Sequence, residues 1–153
     1  MKVRLVAITI FAILQAAVPL PAAGGPEGTS WVFVGFTKYR DAVYLDESRL
    51  VRKSAESVAA VCRIAPSQKS RYFKQVLAEL RKAKKSSTGF RYVEILSEVG
   101  CRENALRFLG VTYFSIHGEI LHAKQEPAAP WTPVQPGSLW DALRKNACGR
   151  KPF

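Results

Sequence analysis

The segment PWTPVQPGSLWDALRKNAC, residues 130–148, predicts a short helix that follows a proline-rich approach and ends at a cysteine. Ser138 and Asp141 have the S-x-x-D spacing of a helix cap. Four apolar side chains then fall on one helical face: Leu139, Trp140, Leu143 and Ala147. Because isolated helices shorter than ~12–15 residues are marginal in water, we expect tertiary contacts to hold this one. Cys148 is placed to add a covalent contact.

Upstream of this helix, the sequence predicts an antiparallel sheet. Stretches rich in β-branched and aromatic residues predict strands at 31–38, 42–46, 48–53, 57–65, 90–99, 105–116 and 119–125. The first four follow one another closely, and parallel neighbours would need a long crossover, so a meander is expected. His117 and Gly118 mark the tip of the last hairpin, and residues 126–137 are expected to form a loop.

A second helix, residues 68–85, is predicted between the strands at 57–65 and 90–99. Pro66-Ser67 is a start signal in which Ser67 would cap the first turn. The apolar residues Phe73, Val76, Leu77 and Leu80 have the spacing of one buried stripe. Much of the remaining surface is basic, and the candidate anion-binding residues are Lys69, Lys74, Arg81, Lys82, Lys84 and Lys85.

Two interpretations of this basic helix stay open. It could bind an anionic lipid, lipopolysaccharide or polysaccharide through long-range attraction. The conservative interpretation is a solvated outer face whose apolar stripe covers the sheet. We do not expect nucleic acid as the partner, because Tyr72 and Phe73 belong to or border the buried stripe and are poorly placed for base stacking.

The N-terminus has the features of an export signal. Lys2 and Arg4 precede an apolar run that ends in small residues and prolines, and the run is too short to span a membrane. We therefore expect a signal peptide at 1–23, a flexible lead-in at 24–30 and a single domain at 31–150. The absence of a cysteine near the cleavage region predicts that the product is not a lipoprotein. The net charge of +11 favours anionic partners.

The 3 cysteines allow three single disulfides. Export delivers the chain to an oxidising compartment, where disulfides persist. Cys101 and Cys148 both lie at the ends of predicted elements, whereas Cys62 lies within a strand in phase with apolar positions. The pairing that we favour is Cys101 with Cys148, which leaves Cys62 as a buried free thiol.

Signals for catalysis are weak. A Cys62 nucleophile with His117 or His122 as its base is the one enzymatic alternative, but a buried thiol and two surface histidines explain the same residues. Glu94 and Glu98 face one side of a strand without any mark of an acid/base pair. No zinc-ligand spacing or glycine-rich phosphate loop occurs. We therefore expect no enzymatic activity, cofactor or metal.

The order of parts in the C-terminal half resembles the surface-adhesin protein E family of Gram-negative bacteria. The matching parts are a strand ending in cysteine (YVEILSEVGC), a hairpin with glycine at its tip (RFLGVTYFSIHGEILHAKQ), and a Trp-containing loop leading to a short helix that ends in cysteine (PWTPVQPGSLWDALRKNAC). Upstream, YLDESRLVR is similar to the family's Asp-containing second strand pair. The resemblance covers most of residues 31–148.

This resemblance implies a sheet of about six antiparallel strands, with the C-terminal helix tied to its concave face by a disulfide. The family cysteines correspond to Cys101 and Cys148. The type protein is an outer-membrane lipoprotein that binds host matrix and serum proteins. This chain departs from it by lacking the lipidated cysteine, by having Cys62 where a strand aromatic is more usual, and by carrying the basic helix 68–85.

Together the sequence and the resemblance predict an α+β domain. Its antiparallel sheet has about six or seven strands, the C-terminal helix is tethered by a disulfide to one face, and the basic amphipathic helix is additional. The expected function is that of an exported, non-enzymatic binding or structural module of adhesin type, located in the periplasm, at the cell surface or outside a Gram-negative cell. The alternative is an envelope-associated module whose basic helix 68–85 binds anionic lipid or polysaccharide. The partner is therefore a protein or an anionic envelope polymer, and self-association stays open.

Overall fold

The computed structural model describes residues 30–149. The predicted signal peptide and nearly all of the predicted lead-in lie outside the described residues. The strands are β1 Trp31–Phe36, β2 Ala42–Asp46, β3 Val51–Arg52, β4 Ser57–Ala65, β5 Phe90–Gly100, β6 Ala105–Ser115, β7 Ile120–Gln125 and β8 Thr132–Pro133. The helices are α1 Arg71–Lys82, α2 Leu139–Gly149 and a 3-10 turn at Glu47–Arg49.

The strands form one antiparallel sheet in the order β1-β2-β4-β5-β6-β7. The short strands are additions to this path, since β3 pairs with β4 and β8 pairs with β6. Each long strand therefore lies beside the next long strand along the chain. The predicted α+β class and antiparallel sheet are confirmed, although the sheet has 8 strands rather than six or seven.

The register divides the sheet into two chemically different faces. Cys62 lies opposite Leu45 on β2 and Ile95 on β5. The next residue, Arg63, lies opposite Tyr44 and Glu94. Successive side chains of a strand point to opposite faces, so these two rows lie on opposite sides of the sheet. The row of Cys62 is apolar, and the row of Arg63 is aromatic and charged.

Both helices pack on the face that contains Cys62, which we call the covered face. One core cluster joins the strand residues Leu45, Cys62 and Ile95 to Leu80 of α1 and Leu143 of α2. Burial of these side chains stabilises both helices on the same side of the sheet. The face that contains Arg63 carries neither α1 nor α2, and we call it the open face.

The disulfide between Cys101 and Cys148 is present, as predicted. The Cα atoms of the two cysteines are 5.7 Å apart, and the bond closes a sequence separation of 47 residues. It joins the turn after β5 to the last turn of α2, so the predicted tether to one face of the sheet is confirmed. Cys62 has a free thiol and is fully buried.

The predicted cap of α2 is also present. The Ser138 hydroxyl accepts a hydrogen bond from the Asp141 N–H at 3.2 Å, and the Asp141 carboxylate accepts one from the Gly137 N–H at 3.0 Å. Ser138 thus satisfies a backbone donor that the first helical turn leaves unpaired, and Asp141 bonds back to the backbone just before the helix.

The predicted bounds of the basic helix were wrong at both ends. Ser67 does not cap it; Ser70 does, by accepting a hydrogen bond from the Phe73 N–H at 2.9 Å. Ser67 instead belongs to a preceding turn, in which its carbonyl accepts from the Ser70 N–H. The helix ends at Lys82 because Lys84 adopts a left-handed conformation with φ of 54°, which terminates helices.

The predicted strand at 48–53 was wrong over its first half. The Asp46 carboxylate accepts hydrogen bonds from the N–H and the hydroxyl of Ser48, and this local bonding turns Glu47–Arg49 into a 3-10 helix. Only Val51 and Arg52 then pair with β4. In contrast, two residues of the predicted loop at 126–137 pair with β6 as β8.

Candidate binding surfaces

Arg63 lies at the centre of the open face and is only 4% exposed, although neither α1 nor α2 covers it. Its guanidinium lies between two aromatic rings, 4.1 Å from the ring centroid of Trp31 and 4.0 Å from that of Tyr92. Arginine stacks favourably on aromatic faces, so the rings replace the water that the cation loses. Nη1 of Arg63 is buried without a hydrogen-bond partner among the described residues.

Two carboxylates complete this cluster. Glu94 accepts from Nη2 of Arg63 at 2.6 Å and from Nη1 of Arg49 at 2.9 Å. Arg49 also donates from Nε to Asp46 at 2.6 Å. Burial raises the pKa of Asp46, but hydrogen bonds from Ser48 and Arg49 outweigh it and leave the pKa below its ordinary value. The two arginines and the two carboxylates therefore neutralise one another's charges within the cluster.

Exposed aromatic and aliphatic side chains flank Arg63 on the open face. On the β1–β2 side, Phe33 contacts Tyr44 and Phe36 with ring centroids 5.7 and 5.1 Å apart. Tyr92 on β5 stacks on Phe114 of β6 at 4.9 Å. Phe114 lies opposite Ile120 of β7. The exposed fractions are 49% for Phe33, 61% for Phe36 and 65% for Ile120.

A second arginine and aromatic pair lies farther along the open face. Arg107 is 4.8 Å from the ring centroid of Trp131 and donates to Glu98 at 2.7 Å. Glu98 also accepts from the Ser57 hydroxyl at 3.0 Å. The hydrogen bond from Arg107 lowers the pKa of Glu98. Glu94 and Glu98 do lie on one face, as the sequence predicts, but each is paired with arginine.

The candidate anion-binding residues lie on the other side of the molecule, along and around α1. Lys69, Lys74, Arg81, Lys82, Lys84 and Lys85 are all exposed. None of them forms an ion pair with a described residue. The helix's one acid, Glu79, forms an ion pair with Lys124 of β7 and accepts from the Tyr113 hydroxyl at 2.8 Å. Glu79 is therefore committed to the sheet and does not neutralise the helix cations.

The residues of the enzymatic alternative are not brought together. Cys62 is in the core, where burial raises its pKa to about 12, so the thiol is protonated at neutral pH. His122 of β7 lies beside Tyr113 of β6. It is three strand spacings, or about 14 Å, across the sheet from β4, the strand of Cys62. His117 is exposed in the β6–β7 turn.

Residues 30–149 contain neither a cluster of metal ligands nor a membrane-spanning helix. Across residues 30–149, no three His, Cys, Asp or Glu side chains cluster as metal ligands would. In the same range, neither helix has the length and hydropathy that a membrane span requires.

The arginine and aromatic cluster of the open face was not predicted from the sequence. In the alternating pattern of β4, Arg63 falls between buried positions. The pattern therefore predicts that its side chain lies on the opposite face, but it does not indicate which residues the side chain contacts. Its partners come from β1 and β5, far away in the sequence. The one local signal is the aromatic residue at each of those places, Trp31 and Tyr92.

Comparison with known proteins agrees with this fold. The surface-adhesin protein E family matches residues 31–149. Crystal form II of Haemophilus influenzae protein E is similar with a TM-score of 0.52 at 10% identity, over 87% of this chain and 97% of that one. Another structure of Haemophilus influenzae protein E has a TM-score of 0.50 at 8% identity, over 86% and 91%. At such identities the structural likeness shows the fold alone.

No curated protein sequence matches the chain. The family match nevertheless extends from β1 to the end of α2 and includes the disulfide and the open face. The chain therefore belongs to the surface-adhesin protein E family.

Proposed function

We propose that this protein is an exported, non-enzymatic module of adhesin type that binds an extracellular partner protein through the open face of its sheet. Membership of a surface-adhesin family supports a binding role outside the cell. The site would be the surface around Arg63, between Phe33 on one side and Ile120 on the other.

The observation that carries this proposal is the exposure of aromatic side chains on a face that neither α1 nor α2 covers. Large exposed apolar patches on soluble domains mark interaction sites. Aromatic residues and arginine are enriched in protein–protein interfaces and supply much of the binding energy. Because the arginines of this face are already paired with Glu94, Asp46 and Glu98, the partner surface should be mainly apolar.

The test uses the domain from residue 24 onward and immobilised extracellular-matrix extract or serum proteins. Wild-type protein should bind saturably and with little dependence on salt, because the exposed charges of this face are neutralised. The double substitution Phe33→Ser and Phe36→Ser should weaken binding at least tenfold while the circular dichroism stays unchanged. Equal binding by the double variant would overturn the assignment of this face.

Export itself is part of the proposal. The N-terminal charge, apolar run and small residues support cleavage by a signal peptidase, and the lack of a nearby cysteine supports a product without lipid. N-terminal sequencing of protein from the periplasm or the medium should begin between Ala23 and Pro26. Recovery of membrane-bound protein that retains Met1 would contradict cleavage.

A second candidate function is the binding of an anionic polymer or lipid along α1. It is supported by the exposed cations of α1, which have no acidic partner among the described residues, and by the commitment of Glu79 to Lys124 and Tyr113. Such binding should fall steeply with salt.

The combined substitution of Arg81, Lys82, Lys84 and Lys85 by Gln tests this second function. Affinity for heparin or for vesicles containing phosphatidylglycerol should fall at least tenfold. If affinity for both probes is unchanged, the helix serves only to cover the sheet.

A further inference from the structure

The exposed cations around α1 form two clusters separated by a stretch whose only charged residue is Glu79, which is paired with Lys124. The N-terminal cluster consists of Lys38, Arg40, Lys69, Arg71 and Lys74. The C-terminal cluster consists of Arg81, Lys82, Lys84 and Lys85. All nine side chains are exposed.

The N-terminal cluster is assembled from two separate parts of the chain. Lys38 Nζ lies 5.1 Å from the ring centroid of Tyr39, and the Arg71 guanidinium lies 6.0 Å from the same centroid. The β1–β2 turn is joined to the start of α1 because the Asp41 carboxylate accepts from the Ser67 N–H at 3.2 Å. Asp41 is 1% exposed and its carboxylate accepts from the Thr37 hydroxyl and the Ser67 N–H, so it forms no ion pair with the described cations of the cluster.

Helix stability does not explain the cations at this end. The first turn of a helix favours acidic side chains, because the helix dipole is positive there. The first turn of α1 contains no acid and begins with Arg71. Arg71 therefore opposes the dipole, so the dipole does not explain a cation at this position.

The backbone holds the C-terminal cluster in place. Lys84 N–H donates to the Arg81 carbonyl and Lys85 N–H to the Leu80 carbonyl, both at 2.9 Å. These two bonds have the pattern of a Schellman cap, so the last two lysines occupy fixed backbone positions. Nε of Arg81 donates to the Leu77 carbonyl at 3.2 Å, which leaves its terminal nitrogens available.

The stretch between the clusters carries no free cation. Lys74 and Arg81 are seven residues apart, so they share a helix face at a separation of about 10 Å along the axis. Gln75 and Ala78 are the exposed residues between them. Arg71 and Arg81 are ten residues apart, which corresponds to about 15 Å.

We propose that the two clusters bind one linear anionic polysaccharide that spans α1 from end to end. This inference rests on the second candidate function and specifies its ligand. A polymer with regularly spaced sulfate or carboxylate groups can occupy both clusters at once. Simultaneous occupation makes the second contact intramolecular and raises the affinity far above that of either cluster alone.

The surface of α1 fits a polymer better than a bilayer. A helix that binds a bilayer interface needs large apolar side chains on the side facing the lipid. In α1 the large apolar residues Phe73, Val76 and Leu80 pack onto the sheet. Bases of a nucleic acid would need exposed aromatic rings for stacking, and the ring of Tyr39 is instead flanked by Lys38 and Arg71.

The test compares heparin oligosaccharides of increasing length as probes in a binding titration. Affinity should rise by about 100-fold once the chain is long enough to reach both clusters. Variant N replaces Lys38, Lys69, Arg71 and Lys74 by Gln, and variant C replaces Arg81, Lys82, Lys84 and Lys85 by Gln. Each should lose the rise with length but retain weak binding. A control with the same change in charge replaces Arg52, Lys53, Arg102 and Lys145 by Gln and should keep the rise.

Four results would overturn the proposal. Affinity that does not depend on length would mean independent charge contacts, while the second candidate function would stand. Loss of the rise in the control variant would mean a general effect of net charge. Tighter binding to phosphatidylcholine vesicles containing phosphatidylglycerol, or to duplex DNA, would assign another anion. No binding to any of these probes would remove the second candidate function as well.

Discussion

Arg63 is the residue on which the open face depends. It is held between Trp31 and Tyr92 and bonded to Glu94, so three strands meet at its guanidinium. Buried ion pairs contribute little net stability, but removal of one partner leaves an uncompensated charge. The cluster therefore fixes the position of the surrounding aromatic rings more than it adds to the total free energy of folding.

Arg63→Ala should lower the free energy of unfolding by about 3–5 kcal/mol, because Glu94 would stay buried with Arg49 alone. Arg63→Lys should recover only part of the loss, because the ammonium keeps the positive charge but lacks the planar surface that stacks on the rings. The matched control is Arg107→Ala at the more exposed pair, which should cost about 1 kcal/mol. Urea unfolding followed by tryptophan fluorescence measures all three, and equal costs for Arg63→Ala and Arg107→Ala would contradict this role.

Cys62 should be unreactive in the folded protein. Its pKa is raised to about 12 by burial, so the nucleophilic thiolate is scarce at pH 8. Iodoacetamide at that pH should leave Cys62 unmodified in native protein and alkylate it fully in urea, as peptide mass spectrometry would detect. Rapid alkylation of the native protein would revive the enzymatic alternative.

The structural environment of a residue could be predicted from the sequence where a local pattern determines it. The phase of Cys62 with its apolar neighbours on β4 predicts burial, and the positions of Cys101 and Cys148 at element ends favour their pairing. The environment of Arg63 could not be predicted in this way, because its two rings come from strands more than 25 residues away on either side.

At the scale of elements, α2 combines a good cap with a covalent anchor. The Ser138 hydroxyl accepts a hydrogen bond from the Asp141 N–H in its first turn, and the disulfide holds its last turn to the end of β5. The sequence predicts both features, since a cap and a terminal cysteine are local signals. Both ends of α1 were misplaced because Ser67 and Ser70 are equally good caps by sequence, and a lysine in the left-handed conformation gives no signal.

Cys148→Ser should lower the free energy of unfolding by about 2–4 kcal/mol, because the unfolded chain regains the freedom that the disulfide removes. Proteolysis should then cut first within residues 138–149. The matched control is Cys62→Ser, which leaves the disulfide intact and should show a native pattern of cleavage. Non-reducing peptide mapping checks the pairing, and a disulfide that includes Cys62 would contradict the structure.

The acid stability of α2 should depend on Asp141. Hydrogen bonds from Lys145, from the Gly137 N–H and from Arg144 hold the pKa of Asp141 well below its ordinary value. Because the folded state lowers this pKa, the ionised carboxylate stabilises the protein above about pH 4, and this contribution is lost as the pH falls further. Asp141→Asn should therefore destabilise the protein most at pH 7 and by a smaller amount near pH 2, as urea unfolding at the two pH values would measure.

At the scale of the whole molecule, the two faces of the sheet have different roles, one in stability and the other in presenting exposed side chains. The covered face contains the core and is closed by both helices, so its residues explain stability. The open face and the outer side of α1 present the side chains that stability does not require: exposed aromatics on one side and unpaired cations on the other. The sequence predicts the cationic surface of α1 from its charge. The aromatic surface of the open face could not be predicted in this way, because it forms only when the strand register brings distant aromatic residues together.

The most direct test of the open face as the binding surface is oxidative side-chain footprinting of the domain, free and in complex with a matrix or serum protein that it captures. We predict that Phe33, Phe36 and Ile120 become protected from hydroxyl radicals, whereas Tyr72 and His122 on the covered side keep their free-state reactivity. Protection of Tyr72 and His122 with unchanged oxidation of Phe33 and Phe36 would contradict it.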